Sequence, residues 1–395
     1  MHLVQLARRA ELALRLTETW VRRPPVPTRL VLDVTRRCNL RCAACRTWEA
    51  PVAHELSVAE IAAILDQLPR LCWLDVTGGE PFLRPDAGAL FDAIADRCRA
   101  LRVLHFPTNG WFEERVVAAC ASVRARRPDL DLIVTVSVDG PEDLHDRMRG
   151  RVGAYRRAIA TLRRLRALPG VQVYVGTTIT ADNQDQLPAL AQALARELPE
   201  LHPREHHLNW LQVSAHFFRN EGAVAPDPPA DLVRQHITRR GLPRGLVDLM
   251  ELVFLINRDF YGRGEPSGVP CQALRSAAFI SPEGQLYPCH IYDRPLGDLR
   301  RVPFAELWRS EPVLKARDDI DRLACGGCFT PCEAYPALAG APLRALRQTA
   351  ARALRLAREA LEGPSPSPAA SCPADPTDAS APRLSRPPSA APELA

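Results

Sequence analysis

Residues 29–45 read RLVLDVTRRCNLRCAAC, a short β-rich run over 29–35 that empties into a loop with cysteines at 38, 42 and 45. Branched apolar residues favour a pleated, buried strand, so Cys38, Cys42 and Cys45 stand where that strand would end. The pattern of the run recurs. Further β-rich runs lie at 72–77 (CWLDVT), 102–106 (RVLHF), 131–138 (DLIVTVSV), 171–179 (VQVYVGTTI) and 208–215 (LNWLQVSA). Helical patterns lie between them. The clearest, SVAEIAAILDQL from Ser57, opens with a Ser–x–x–Glu capping box; others cover 86–99, 113–127, 153–167 and 183–197. Such alternation implies an α/β fold with a parallel sheet and right-handed crossovers, closed or nearly closed into a partial (β/α)6 TIM-like barrel. An open doubly wound sheet is the alternative.

Both architectures place active sites at the carboxyl ends of the strands. There the sequence carries unusual groups: CNLRCAAC after the first run, GGEP (78–81) after the second, PTNG (107–110) after the third, and SVDG (137–140) then HDRMRG (145–150) after the fourth. The sixth runs on to Arg219 and Asn220. Three thiolates on one loop can hold three irons of a [4Fe–4S] cube and leave the fourth iron open to an outside ligand, since four cysteines are the usual complement. Zinc closed by a histidine such as His54 is the other reading of the triplet.

Composition bounds the function. The chain has 395 residues, 46% hydrophobic and 25% charged, with a net charge of +5. Lys315 is the single lysine, and the arginines are dispersed among Asp and Glu along helices, which excludes a nucleic-acid footprint. No run approaches the roughly 20 apolar residues that span a membrane, and Arg8, Arg9, Glu11 and Arg15 interrupt the N-terminus where a secretory signal would be apolar. The expected location is cytoplasmic, with no membrane and no nucleic-acid partner. Twelve cysteines in such a chain point to metal or redox chemistry rather than disulfides. Cys72, Cys98, Cys120 and Cys372 are isolated and receive no role.

CNLRCAAC, TGGEP, TNG and SVDG together resemble the radical S-adenosylmethionine (SAM) superfamily over residues 27–220, whose signature is a C-x3-C-x2-C loop after the first strand of a partial barrel. The resemblance implies that Cys38, Cys42 and Cys45 hold the cluster and that SAM chelates its open iron. An electron from the cluster then gives a 5′-deoxyadenosyl radical that takes a hydrogen from the substrate. A flavodoxin- or ferredoxin-type protein would donate the electron. Gly78 and Gly79 would admit a ligand to the backbone, Glu80 would orient the SAM ammonium, Ser137 and Asp139 would bond ribose hydroxyls, and Arg149 would pair with the SAM carboxylate. Asn109 belongs to the same set. One departure is Ala44, where family members commonly carry an aromatic residue before the third cysteine; Trp48 is a candidate stacking face.

Cys271, the GxxxxC of Gly284–Cys289, and CGGC at 325–328 resemble the SPASM or shorter twitch extension, expected over 266–340 as a small cysteine-rich cluster-binding extension. Five cysteines suit one auxiliary [4Fe–4S] cluster, with Cys271, Cys289, Cys325 and Cys328 as ligands and Cys332 spare, substitute or substrate-side; a zinc ribbon is the alternative. The remaining expectations are an N-terminal helix over 1–26, linker helices over 221–265, an Arg-rich amphipathic helix over 341–362 and a disordered tail over 363–395. Only about 26 residues precede the first strand, which tilts the expectation from a leader-guided peptide toward a small molecule or a partner-delivered peptide. A non-catalytic iron–sulfur or zinc scaffold and a radical SAM methyltransferase are the competing functions. The tail is rich in Pro, Ser and Ala and buries too little apolar area to offset the entropy of ordering it. Deleting 363–395 is therefore expected to leave the melting temperature and SAM cleavage unchanged, as thermal unfolding and product analysis would show.

Overall fold

The computed structural model describes residues 23–52, 54–224 and 230–362, together with Leu12 and Arg15. Six parallel strands follow one another in space in the order in which the chain makes them: β1 (Arg29–Asp33), β2 (Trp73–Thr77), β3 (Val103–Thr108), β4 (Asp131–Ser137), β5 (Val171–Ile179) and β6 (His206–Trp210). Winding in one direction builds a barrel, whereas a doubly wound sheet reverses its order part-way. The barrel is partial. β6 is one edge of the sheet, and beyond β1 lies β7 (Ala277–Ile280), parallel to it, followed in antiparallel fashion by β8 (Gln285–Tyr287) and β9 (Gly297–Asp298). The cysteine-rich extension thus continues the core sheet through the pairing of Val31 with Phe279.

The crossovers are α1 (Val58–Asp66), α2 (Ala87–Arg97), α3 (Glu113–Arg126), α4 (Glu142–Arg149), α5 (Ala154–Arg166) and α6 (Leu187–Glu197). The capping box at Ser57 is formed: its hydroxyl accepts from Glu60 N, and the Glu60 carboxylate accepts from Ser57 N at 2.8 Å. The sequence pattern missed α4, because EDLHDRMR buries a single residue, His145, and so shows no apolar stripe. It also carried β6 too far. Leu211–Ala215 has strand composition but leaves the sheet, since Asn220 turns it back through Ser214 N and Gln212 O.

One face of β1–β4 is apolar, as Leu30, Leu74, Leu104 and Leu132 lie side by side and pack against crossover residues such as Ile61, Phe91 and Leu162. The other face carries a polar row, buried at Arg29 and Asp75. Arg29 pairs with Asp75 at 2.8 Å, and His105 joins Asp75 (2.8 Å) to Thr135 (3.0 Å). After β6 come α7 (Ala230–Arg240), α8 (Leu246–Gly262), α9 (Phe304–Leu307), α10 (Glu311–Asp321), α11 (Pro331–Gly340) and α12 (Pro342–Glu362). Phe254 of α8 and Leu338 of α11 pack with Ile179, Leu208 and Trp210 from β5 and β6.

Among the described residues, those up to Arg352 belong to one compact unit, and 353–362 are the described part of another. The helix expected over 1–26 lies mostly outside the described residues; Leu12 and Arg15 are helical and residues 23–28 are not. The tail over 363–395, with Cys372, lies outside them. Among the described residues no helix is long and apolar enough to cross a membrane.

Phe82 anchors the GGEP segment to the core by stacking on Phe91 (centroids 5.3 Å apart, planes 4° apart) and tilting onto Phe106 at 5.4 Å. Phe82→Ala is expected to cost about 3–5 kcal/mol, the range for emptying a buried aromatic site, read as a lower urea midpoint at unchanged slope.

Candidate functional site

From the end of β1 to the 3-10 turn at Thr47–Glu49 the chain makes neither helix nor strand, so its backbone groups need partners from elsewhere. Four surrounding segments supply them. Behind β2, Gly79 N donates to Thr35 O at 2.7 Å and Glu80 N to Arg37 O at 2.8 Å. Behind β3, Asn109 Nδ2 donates to Asn39 Oδ1 at 2.9 Å. At the end of α4, the carbonyls of Arg149 and Met148 accept from Arg41 N (3.0 Å) and Ala43 N (3.4 Å), while Arg151 reaches Asn39 O at 3.0 Å. Behind β6, Asn220 Nδ2 donates to Ala44 O at 2.8 Å, and the carbonyls of Phe218 and Phe217 accept from Arg46 N (2.8 Å) and Thr47 Oγ1 (2.7 Å).

Two glycines make these approaches possible. A Cβ on Gly79 would lie 2.1 Å from Arg37 O, and one on Gly150, at φ +63°, would lie 2.6 Å from Arg41 O. The backbone that Gly79 admits is therefore that of the cysteine loop, where the sequence reading had placed a ligand.

Cys42 and Cys45 line a cavity that also receives Asp139, Arg149 and Phe218. Arg149 Nη2 pairs with Asp139 Oδ2 at 2.7 Å, its Nη1 lies 3.9 Å from Cys42 Sγ, and its Nε is buried without a partner among the described residues. Burial alone would make this guanidinium easier to deprotonate; the Asp139 carboxylate beside it reverses that and raises its pKa. Asp139 is itself fixed, its Oδ1 accepting from Thr178 N and its own N–H donating to His145 Nδ1, each at 3.0 Å. Burial makes His145 hard to protonate, which suits an accepting nitrogen. Cys38 shares the loop. Burial pushes its thiol up to about 12 and raises that of Cys42 despite the opposing Arg149, so a metal must displace protons to bind there. Arg149, which keeps one buried N–H unpartnered, lines the cavity, and thiols come to it from one loop; the residues fit an iron–sulfur cluster with an anionic ligand.

The other expected residues stand behind this cavity rather than lining it. Glu80 is fully buried, accepting from Asn109 N (2.8 Å), the Thr108 hydroxyl (3.0 Å) and Phe82 N (3.3 Å); burial raises its pKa to about 7 against those hydrogen bonds. Asn109 and Gly78 belong to the same support, and Ser137 closes β4 opposite Gly176. Trp48 lies under Arg41, 5.5 Å from ring centre to guanidinium, and does not line the cavity. His54 is exposed in a cleft that contains none of the three cysteines. The sequence reading missed Thr178, Thr180 and Asp182 at the end of β5, and Asn209 and Gln212 at the end of β6, all of which line the cavity. Their position at strand ends was the available signal, masked because threonine also favours strands.

A second cavity is lined by Cys271, Cys289, Cys325, Cys328 and Glu333. Cys271 precedes β7, Cys289 follows β8, and Cys325 and Cys328 follow α10, so the short hairpins and α10 fold distant cysteines together. Cys332 does not line it; the charges that act on its thiol are first Arg29, then Asp75. Among the described residues no three His, Cys, Asp or Glu side chains converge on one point suitable for a single metal ion. One zinc would require donors about 2.0–2.3 Å from a common centre, whereas a cubane takes each thiolate on a separate iron. Four thiols line this cavity, the number a cubane takes.

Residues 32–194 match the radical SAM superfamily and residues 271–329 the SPASM iron–sulfur cluster-binding domain. Pre-heme d1 synthase of Dinoroseobacter shibae is 30% identical over 337 residues, 76% of this chain and 78% of that protein. The antilisterial bacteriocin subtilosin biosynthesis protein AlbA of Bacillus subtilis is 25% identical over 77% of this chain and 68% of that protein. Streptococcus suis SuiB, solved with S-adenosylmethionine bound, shares the fold at a TM-score of 0.53 and 15% identity, over 74% of this chain and 68% of that one. The chain belongs to the radical SAM superfamily, as an enzyme whose core domain binds a [4Fe–4S] cluster and SAM and whose C-terminal SPASM domain binds iron–sulfur clusters.

Proposed function

We propose that the enzyme cleaves SAM reductively and takes a hydrogen atom from a peptide or small-molecule substrate, leading to its oxidation or cross-linking. The observation that carries this reading is the meeting of Cys42 and Cys45 with the Asp139–Arg149 pair in one cavity at the carboxyl ends of the strands. Cys38, Cys42 and Cys45 hold the first cluster. When reduced, that cluster supplies the electron that splits the SAM sulfonium and releases the 5′-deoxyadenosyl radical. The chain's own part is to bind and orient. Arg149 offers its free Nε to the SAM carboxylate while Asp139 keeps the guanidinium in place. Asn209 and Gln212 offer amides, Thr178 and Thr180 hydroxyls, and Trp210 and Phe218 apolar surface that keeps water from the reacting atoms. Gly78, Gly79, Glu80 and Asn109 act through the loop they hold, and Ser137 stands at the strand end beside it. Cys271, Cys289, Cys325 and Cys328 hold one auxiliary [4Fe–4S] cluster, and a flavodoxin- or ferredoxin-type protein delivers the electron.

A relative named for pre-heme d1 synthesis supports a small-molecule substrate, and one named for bacteriocin biosynthesis supports a peptide. The test is anaerobic incubation of the reduced, reconstituted enzyme with SAM, alone and with candidates of each class, followed by mass spectrometry for 5′-deoxyadenosine and mass-shifted product. Absence of 5′-deoxyadenosine from protein holding its full iron would sink the proposal.

Replacing Cys38, Cys42 or Cys45 with Ala is expected to abolish cleavage. The triple variant should fall from about eight irons per chain to about four, as iron analysis would show. Arg149→Ala removes charged hydrogen bonds worth about 1.5–3 kcal/mol, so the Kd for SAM should rise about tenfold to a hundredfold; an unchanged Kd would return Arg149 to a purely structural role.

A further inference from the structure

The four thiols around the second cavity share it with a group that the cluster does not require. Glu333, in the first turn of α11, lines that cavity and is only 5% exposed. Its Oε1 lies 3.6 Å from His290 Nδ1, while its Oε2 is buried and has no hydrogen-bond partner among the described residues. A bare carboxylate oxygen in a buried site is costly unless something nearby uses it.

The imidazole beside that carboxylate is held in place. His290 is buried, and its Nε2 lies 2.6 Å from Gln212 Oε1; Gln212 Nε2 donates to Asn209 Oδ1 at 2.9 Å. Asn209 and Gln212 line the first cavity. A continuous row of side chains, Asn209, Gln212, His290 and Glu333, therefore joins the two cavities and ends on the unpartnered oxygen.

We propose that Glu333 is a fixed anionic neighbour of the auxiliary cluster, not one of its ligands, and that its charge lowers the potential at which that cluster accepts an electron. This rests on Cys271, Cys289, Cys325 and Cys328 being the ligands. Four thiolates complete a cubane, so a fifth donor is left to act through its field, and in a buried site of low effective dielectric a nearby negative charge opposes an added electron. The oxidised cluster becomes a weaker electron acceptor and the reduced cluster a stronger donor. Cys332 does not line that cavity, so its removal leaves the four proposed thiolates and Glu333 in place.

The experiment is a redox titration of the anaerobically reconstituted full chain with dithionite, followed by electron paramagnetic resonance. The signal that SAM does not perturb reports the auxiliary cluster. Glu333→Gln is expected to keep about eight irons and to make that cluster about tenfold or more easier to reduce, a positive shift of about 59 mV for a one-electron couple. Glu333→Asp should stay near the wild-type potential, as should Cys332→Ala, and Glu333→Ala provides the same readout as Glu333→Gln if the amide variant does not accumulate. An unchanged potential in both charge-removing variants overturns the proposal, and so does loss of the auxiliary signal with iron falling to about four, which would make Glu333 a ligand. Retention of all iron in Cys271→Ala or Cys328→Ala is a separate failure, of the ligand assignment itself, and is distinguishable because it is read from iron content without any Glu333 variant.

Discussion

A loop that must present three thiols in one arrangement cannot rely on helix or strand to hold it, and the architecture around residues 38–45 answers that constraint. Several groups of the loop are met by segments leaving different strands or by the end of α4. A hydrogen bond of this kind contributes only about 0.5–1.5 kcal/mol net, so no single one fixes the loop; their convergence from four directions does. The close approaches at Gly79 and Gly150 follow from the same requirement, since any side chain there would push the supporting segment away from the carbonyls of Arg37 and Arg41.

Charge is arranged with equal economy. A guanidinium buried beside thiols would be expensive to keep ionised alone, and Asp139 supplies the counter-charge at 2.7 Å while being braced by Thr178 and His145. A buried ion pair is weak evidence for stability. Here it sets geometry, because Arg149 spends one nitrogen on Asp139, points another at Cys42 and leaves its Nε uncommitted. Glu80, by contrast, has every strong contact turned inward toward Thr108 and Asn109, which makes it a tie between two strand-end loops.

The fold and the cluster loop were legible because their signals are local. Strand composition, the capping box at Ser57 and the spacing of Cys38, Cys42 and Cys45 each lie within a dozen residues of sequence. What the sequence concealed depends on tertiary partners. α4 has no apolar stripe to reveal it, since its work is to offer carbonyls and Arg149 to a loop over a hundred positions earlier. Glu80 reads equally well as a ligand-binding carboxylate or as a buried tie, and only its inward hydrogen bonds separate the two. Among the C-terminal cysteines, spacing alone left Cys332 open; its neighbours Arg29 and Asp75 belong to β1 and β2, which no motif spacing encodes.

The pairing of β1 with β7 has a consequence for how the two cysteine centres relate. β1 delivers the chain into the first cysteine loop, and β7 lies between Cys271 and Cys289. Because both strands belong to one sheet, their relative position is set by backbone hydrogen bonds rather than by a flexible linker. The segment behind β6 closes the connection from the other side: Phe217 packs with Val31 and Phe279, Asn220 grips the cysteine loop at Ala44, and Gln212 meets His290 next to Cys289. This segment, which the sequence pattern read as strand only as far as residue 215, thus contacts both the first cysteine loop and the residue next to Cys289.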